Sequence, residues 1–191
     1  MKQLNGTEKF TLNGKCTDIT INDYWSWAYS DLLINASRGV LAEFLVYSAI
    51  RSTPPPENSQ MRVDWAPYDL TSPSGRRIEV KSAAYLQSWD QEYYSKIIFD
   101  IAPHRAWDAK TGYAPEAKRN SDLYVFCVYT ALSRDKSILD LDLWDFYVLP
   151  TSILNQKIPT QKTIGLQSLQ KLNPIKTGYS DLGKTIETIQ L

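Results

Sequence analysis

The chain has one histidine, His104, and two cysteines, Cys16 and Cys127, in 191 residues. A single imidazole excludes a multi-histidine metal centre and argues against histidine-based nucleophile chemistry. Between Pro103 and Arg105, His104 reads as a solvated loop residue. The two thiols lie far apart, and Cys127 sits inside the apolar run Tyr124-Val125-Phe126-Cys127-Val128, so reduced thiols in a cytoplasmic protein are expected. No stretch is long and apolar enough to span a bilayer. The opening Met1-Lys2-Gln3-Leu4-Asn5-Gly6 has no apolar run behind its charge, so neither membrane association nor a signal peptide is expected. Net charge is lacking too, with 21 Lys and Arg against 21 Asp and Glu. That balance argues against a broadly basic nucleic-acid binder and leaves room only for a local basic face, such as the lysines of the tail. With imidazole and thiol so scarce, carboxylates are the metal ligands available.

The carboxylates that matter lie in Tyr68-Asp69-Leu70-Thr71-Ser72-Pro73-Ser74-Gly75-Arg76-Arg77-Ile78-Glu79-Val80-Lys81. Apolar residues at Ile78 and Val80, and earlier at Val63 and Trp65, suggest strands, with Pro73-Ser74-Gly75 as the turn between them. A three-residue loop of this kind combines a proline-compatible corner with a glycine at positive φ. It pairs Ser72 with Arg76, Thr71 with Arg77, Leu70 with Ile78 and therefore Asp69 with Glu79. Opposed side chains sit about 5 Å apart at Cβ, where like charges repel. The period of two puts Lys81 on the face of Glu79 and turns Ile78 and Val80 to the other face. Two carboxylates beside a lysine have the character of a site for a hard cation such as Mg²⁺, which takes a few carboxylate oxygens plus water.

Glu43 adds a fourth group. It interrupts Val40-Leu41-Ala42-Glu43-Phe44-Leu45-Val46, and its helical neighbours at spacings of three and four are Gly39, Val40, Val46 and Tyr47. A carboxylate on such an apolar row needs a partner or a metal. Two other acid-x-Lys triplets, Asp108-Ala109-Lys110 and Glu116-Ala117-Lys118, lie in a polar stretch with no strand pattern and read as coincidence.

This arrangement resembles the PD-(D/E)XK nuclease superfamily, the fold of many restriction endonucleases and of recombination and repair nucleases. The resemblance covers about Asn35 to Lys81 well and the later strands in outline. Carried over by position, Asp69 is the first metal-binding acid, Glu79 the second and Lys81 the catalytic lysine, while Glu43 is the extra acid of the first core helix. Tyr68 separates Pro67 from Asp69, so the literal Pro-Asp pair is absent, and Asp64 is the backup for the first acid. The resemblance implies a central mixed β-sheet flanked by helices (α/β, or α+β) with a restriction-endonuclease-like core. It implies cleavage of DNA with Mg²⁺ as cofactor and Mn²⁺ as substitute, Asp69, Glu79, Glu43 and the Val80 carbonyl holding the metal, and a homodimer as one option. The competing expectation is an inactive member of the same fold that binds nucleic acid or a protein. A blander reading pairs Asp69 and Glu79 with Arg76, Arg77 or Lys81, and Glu43 with Arg38, as ordinary charged surface.

One domain is expected over residues 1–191, with a core at about 22–150 and a C-terminal helical extension over 151–191. Asn13-Gly14 marks a hairpin within Thr7 to Thr20. Asn22 or Asp23 is expected to cap a helix whose aromatics, Tyr24, Trp25, Trp27 and Tyr29, read as core packing. Helical pattern runs on to about Ile50 in one or two pieces, and Pro54-Pro55-Pro56 makes a loop. If the Glu79 strand persists beyond Ala84, Tyr85 and Gln87 share the face of Lys81 and are candidates for nucleic-acid contacts. Ile97 to Ile101, Leu123 to Thr130 and Phe146 to Leu149 read as further strands, and 103–120 as a long polar loop.

Overall fold

The first folded unit is a hairpin followed by a helix. Strands β1 (Lys9–Leu12) and β2 (Lys15–Thr20) pair antiparallel. Asn13 and Gly14 turn between them with φ of 51° and 76°, the double left-handed turn that Asn-Gly favours. Helix α1 (Ile21–Tyr29) starts at Thr20, not at Asn22 or Asp23. Thr20 accepts from the Asp23 amide, and the Asp23 carboxylate accepts the Thr20 amide at 2.7 Å, a reciprocal cap. The structure, a computed structural model, describes residues 3–51, 62 and 66–191. The Pro54-Pro55-Pro56 loop, the strand around Val63 and Trp65, and Asp64 lie outside them.

The aromatics of α1 do not form core. The helix buries no residue, and Trp27 is 85% exposed. Aromatic content signals burial only when another element covers the face, and nothing in a local window shows whether one does.

Helix α2 (Asn35–Ala49) buries Ala42, Leu45 and Val46. The chain then forms β3 (Leu70–Thr71) and β4 (Arg77–Ala84), joined by Ser72 to Arg76. Next come β5 (Ile98–Asp100), the small hairpin of β6 (Trp107–Asp108) and β7 (Gly112–Tyr113), β8 (Leu123–Tyr129) and β9 (Trp144–Pro150). The polar stretch 103–120 is therefore a hairpin excursion, closed at its base by the His104–Lys118 bridge, rather than an unstructured loop. The tail holds α3 (Thr151–Lys157), β10 (Thr163–Gly165), α4 (Leu166–Gln170), β11 (Ile175–Thr177) and α5 (Tyr179–Thr188).

The centre is a five-stranded mixed sheet in the order β11-β9-β8-β4-β3, parallel only between β4 and β8. All seven residues of β8 are buried, as a central strand covered on both faces must be. Period-two alternation divides the sheet into two cores. Ile78 and Val80 of β4 pack with Ala42, Leu45 and Val46 of α2 and with Leu182 and Ile186 of α5. On the opposite face Ala83, Tyr124, Phe126 and Leu149 pack with Phe99 of β5, Leu154 of α3, Ile164 of β10 and Leu169 of α4.

The segment 151–191 is thus no appended extension. It supplies the edge strand β11, and α5 closes the first core. At Gly183 a Cβ would stand 2.0 Å from the Ala49 carbonyl oxygen, so only glycine permits the approach of α5 to α2. Arg76 donates to the Ile186 and Ile189 carbonyls at 3.0 and 2.6 Å, placing a cation at the C-terminus of α5. No helix among the described residues is long and apolar enough to cross a membrane.

Candidate active site

The β3–β4 hairpin closes in the register that turn geometry requires. Leu70 pairs with Ile78 and Thr71 with Arg77, the Ser72 amide donates to the Arg76 carbonyl at 2.9 Å, and Gly75 has φ of 85°. The Asp69 amide donates to the Ile78 carbonyl at 3.0 Å, one residue out of that register, so Asp69 and Leu70 both face Ile78 and the regular ladder ends there, short of the expected Asp69–Glu79 pair. The start of β4 is fixed against β8 by Arg77, whose amide and guanidinium both donate to the Asp122 carboxylate. Arg77 is therefore committed to register, and Arg76 to α5; neither neutralises the acids of the site.

Glu79 is 6% exposed and lies on the face of the second core, beside Tyr124 in the parallel register. Its Oε1 accepts from Lys81 Nζ at 2.7 Å, confirming that the two side chains share a face. Burial pulls the Lys81 ammonium downward. Glu79, then Asp69 and Asp100, outweigh that pull and hold it above the ordinary lysine range. Asp69 is the opposite case: burial, then the charge of Glu79, raises its carboxyl to about 6, with Glu43 adding in the same direction. Two influences pull the other way: Val80 N–H, donating to Oδ2 at 2.7 Å, and the charge of Lys81. The N–H and C=O of a strand residue point to the same side, so the Val80 carbonyl also faces the edge where Asp69 sits.

Glu43 reaches this neighbourhood from α2 on the other face of the sheet. It is held by Arg62, whose Nε and Nη2 donate to its two oxygens at 2.5 and 2.9 Å. Arg38, the partner expected from the sequence, turns instead to the Leu33 carbonyl, Asn35 and Gln87. Asp108 binds the amides of Lys110 and Thr111 and caps its own turn, which accounts for the first of the two stray triplets.

Tyr85 and Gln87 do not continue the strand. β4 ends at Ala84, and Gln87 is buried, donating to the Ala84 carbonyl and accepting from Arg38. Reading on by a period of two fails where the strand stops, and Ser88 and Trp89 gave no sharp signal of that end. Asp100 and Tyr124 are neighbours of the site that the sequence did not single out. Burial and then Glu79 push the Tyr124 hydroxyl well above the usual phenol range, with Asp100 contributing. The only hint in the sequence was the alternation of Ile97, Phe99 and Ile101, which turns Ile98 and Asp100 away from the apolar core.

Among the described residues no three carboxylate, thiol or imidazole groups are gathered into a ready-made metal cage. Mg²⁺ does not need one: it keeps several waters and is commonly bound by one or two carboxylates. Two neighbouring carboxylates, one raised to about 6 by burial and by the charge of the other, together with an edge-facing carbonyl, suit such an ion. No family model matches the chain, and no curated protein matches its sequence.

Proposed function

We propose that this protein is a metal-dependent nuclease that hydrolyses DNA phosphodiester bonds at Asp69, Glu79 and Lys81, on a restriction-endonuclease-like core. The observation that carries the reading is the grouping of Asp69, the buried Glu79 and a half-buried lysine, Lys81, beside β4, with the Asp69 carboxyl raised to about 6 by burial and then by Glu79. A Mg²⁺ ion, or Mn²⁺ in its place, would supply a polarised phosphate and a bound water of lowered pKa. Asp69, Glu79 and the Val80 carbonyl are the groups that would hold it.

The chain's own residues do the rest. Lys81, kept as an ammonium by Glu79, offsets the charge that builds on the phosphate oxygens and orients the attacking water. Glu43 tunes Asp69 across the sheet, and its pairing with Arg62 makes it a positioning group before it is a ligand. Tyr124 stays protonated and walls Glu79 on its inner side.

A second reading, a non-cleaving module that holds nucleic acid or a protein, is favoured by the Glu79–Lys81 and Glu43–Arg62 pairs, which already offset much of the charge. Nicking of supercoiled plasmid separates the two. Wild-type protein with Mg²⁺ is expected to nick, and Lys81→Ala to lose about 10²-fold or more of that rate while still unfolding cooperatively, at a lowered melting temperature because the buried Glu79 loses its partner. Cleavage retained by Lys81→Ala would overturn the assignment, and binding without nicking in wild type would favour the second reading.

A further inference from the structure

Beyond the acid cluster, the last residues of β4 border a cavity of about 360 Å³ whose lining includes Asn35, Arg38, Ser82, Gln87, Trp89 and Lys96. Two cations and no acid face it. Arg38 is 4% exposed, yet it makes no ion pair among the described residues, and burial alone lowers its pKa. Its Nη atoms are occupied by neutral acceptors, while Nε has no partner there, and neither has Ser82 Oγ.

The contrast with Arg119, the other buried arginine, isolates this one. All three Arg119 nitrogens donate, to the Ile101, Ile158, Pro159 and Gln161 carbonyls and to Asn155. Arg119 is a fully satisfied structural tie; Arg38 is a buried cation with a spare donor and no counter-ion. Such a charge is unfavourable until an anion meets it. Two further features add to the pull. Helix α2 begins here, at Asn35, with no side-chain cap on its first turn, so its amides and dipole favour negative charge. Lys96 also lines the cavity and has no ion-pair partner among the described residues. At the rim Trp89 is half exposed, a flat apolar face beside an anion pocket.

We propose that this cavity is a phosphate-binding subsite, with Arg38, Lys96, Ser82 and the α2 N-terminus taking the phosphate group of a nucleotide and Trp89 stacking on its base. Phosphate with an adjacent aromatic platform is how single strands are gripped without sequence preference. Ser82 and Ala84 alternate with Lys81 along β4 and turn to the α2 face, so the cavity lies at the end of the strand and apart from the acids on the other face. Only the choice of a strand phosphate over free phosphate rests on the nuclease reading.

The test is calorimetric titration of the full chain in EDTA, where cleavage and metal binding play no part, so its failure is separate from failure of the nuclease reading. The probes are inorganic phosphate and a short 5′-phosphorylated single-stranded oligonucleotide. Because Arg38 also ties α2 to Gln87, the variants are the surface changes Lys96→Glu and Trp89→Ala, each checked for an unchanged melting temperature. Lys96→Glu is expected to weaken binding by about tenfold or more. A loss of oligonucleotide affinity in Trp89→Ala, with phosphate affinity kept, identifies a strand as the source; no effect of Trp89→Ala identifies free phosphate. No binding of either probe, or binding unchanged by Lys96→Glu, would overturn the subsite.

Discussion

Asp69 concentrates the tension of the site. A carboxyl raised from the ordinary value to about 6 on folding binds its proton more tightly in the folded state than in the unfolded chain. Its contribution to stability is therefore full below about pH 4 and is lost as pH rises through about 6. In metal-free protein, Asp69→Asn removes the repulsion while an amide oxygen can still accept from Val80. The variant is expected to be more stable than wild type by about 1–3 kcal/mol at pH 7.5, with no such gain at pH 4. Denaturant unfolding in EDTA at the two pH values checks this, and a gain of equal size at both would contradict it. Metal binding should weaken in the same window, falling as pH drops below about 6, because the ligand must be ionised. At this scale strand period put Glu79 and Lys81 on one face, as their hydrogen bond shows, whereas turn length did not give the offset of Asp69 from Glu79. Arg62 was not legible as the partner of Glu43, because no local period connects a helix to a distant loop residue.

At the scale of elements, the β3–β4 turn and the α2–α5 contact decide whether the site exists. Gly75 has φ of 85° and open space where a side chain would go. Gly75→Ala is expected to cost about 1–2 kcal/mol through backbone strain alone, visible as a lowered unfolding midpoint. Gly183 differs, since its Cβ would meet backbone at 2.0 Å. Gly183→Ala is expected to destabilise by about 1–3 kcal/mol or more as α5 shifts off α2. A neutral result would mean that the two helices do not approach as described. The strands and α2 were readable as patterns of apolar residues, and so was the Asn13-Gly14 hairpin. The ends of elements were less so. Past the end of β4 at Ala84, Gln87 turns inward to the Ala84 carbonyl and to Arg38, the latter a tertiary bond with no local signature. The α1 aromatics misled for the related reason that exposure is set by neighbours and not by composition.

Over the whole molecule, the sheet joins an acid cluster near the start of β4 to a cationic cavity at its end, so near-zero net charge conceals two patches of opposite sign. The tail is part of this plan, with Leu182 and Ile186 of α5 in the first core, against α2 and β9. Truncation after Gly178 is expected to abolish cooperative thermal unfolding, and a truncated chain that melts like the full one would contradict the packing. That role of the tail could not be read from its weakly amphipathic helices, because β11 and α5 gain their meaning only from the sheet they join. The most direct test of the central claim is calorimetric titration of Mn²⁺ into wild type and into the Asp69→Asn/Glu79→Gln variant at pH 7.5. Cation binding by wild type that disappears in the folded variant is the expected result. An absence of binding in wild type, or equal binding by both, would return these residues to an ordinary charged edge of the sheet.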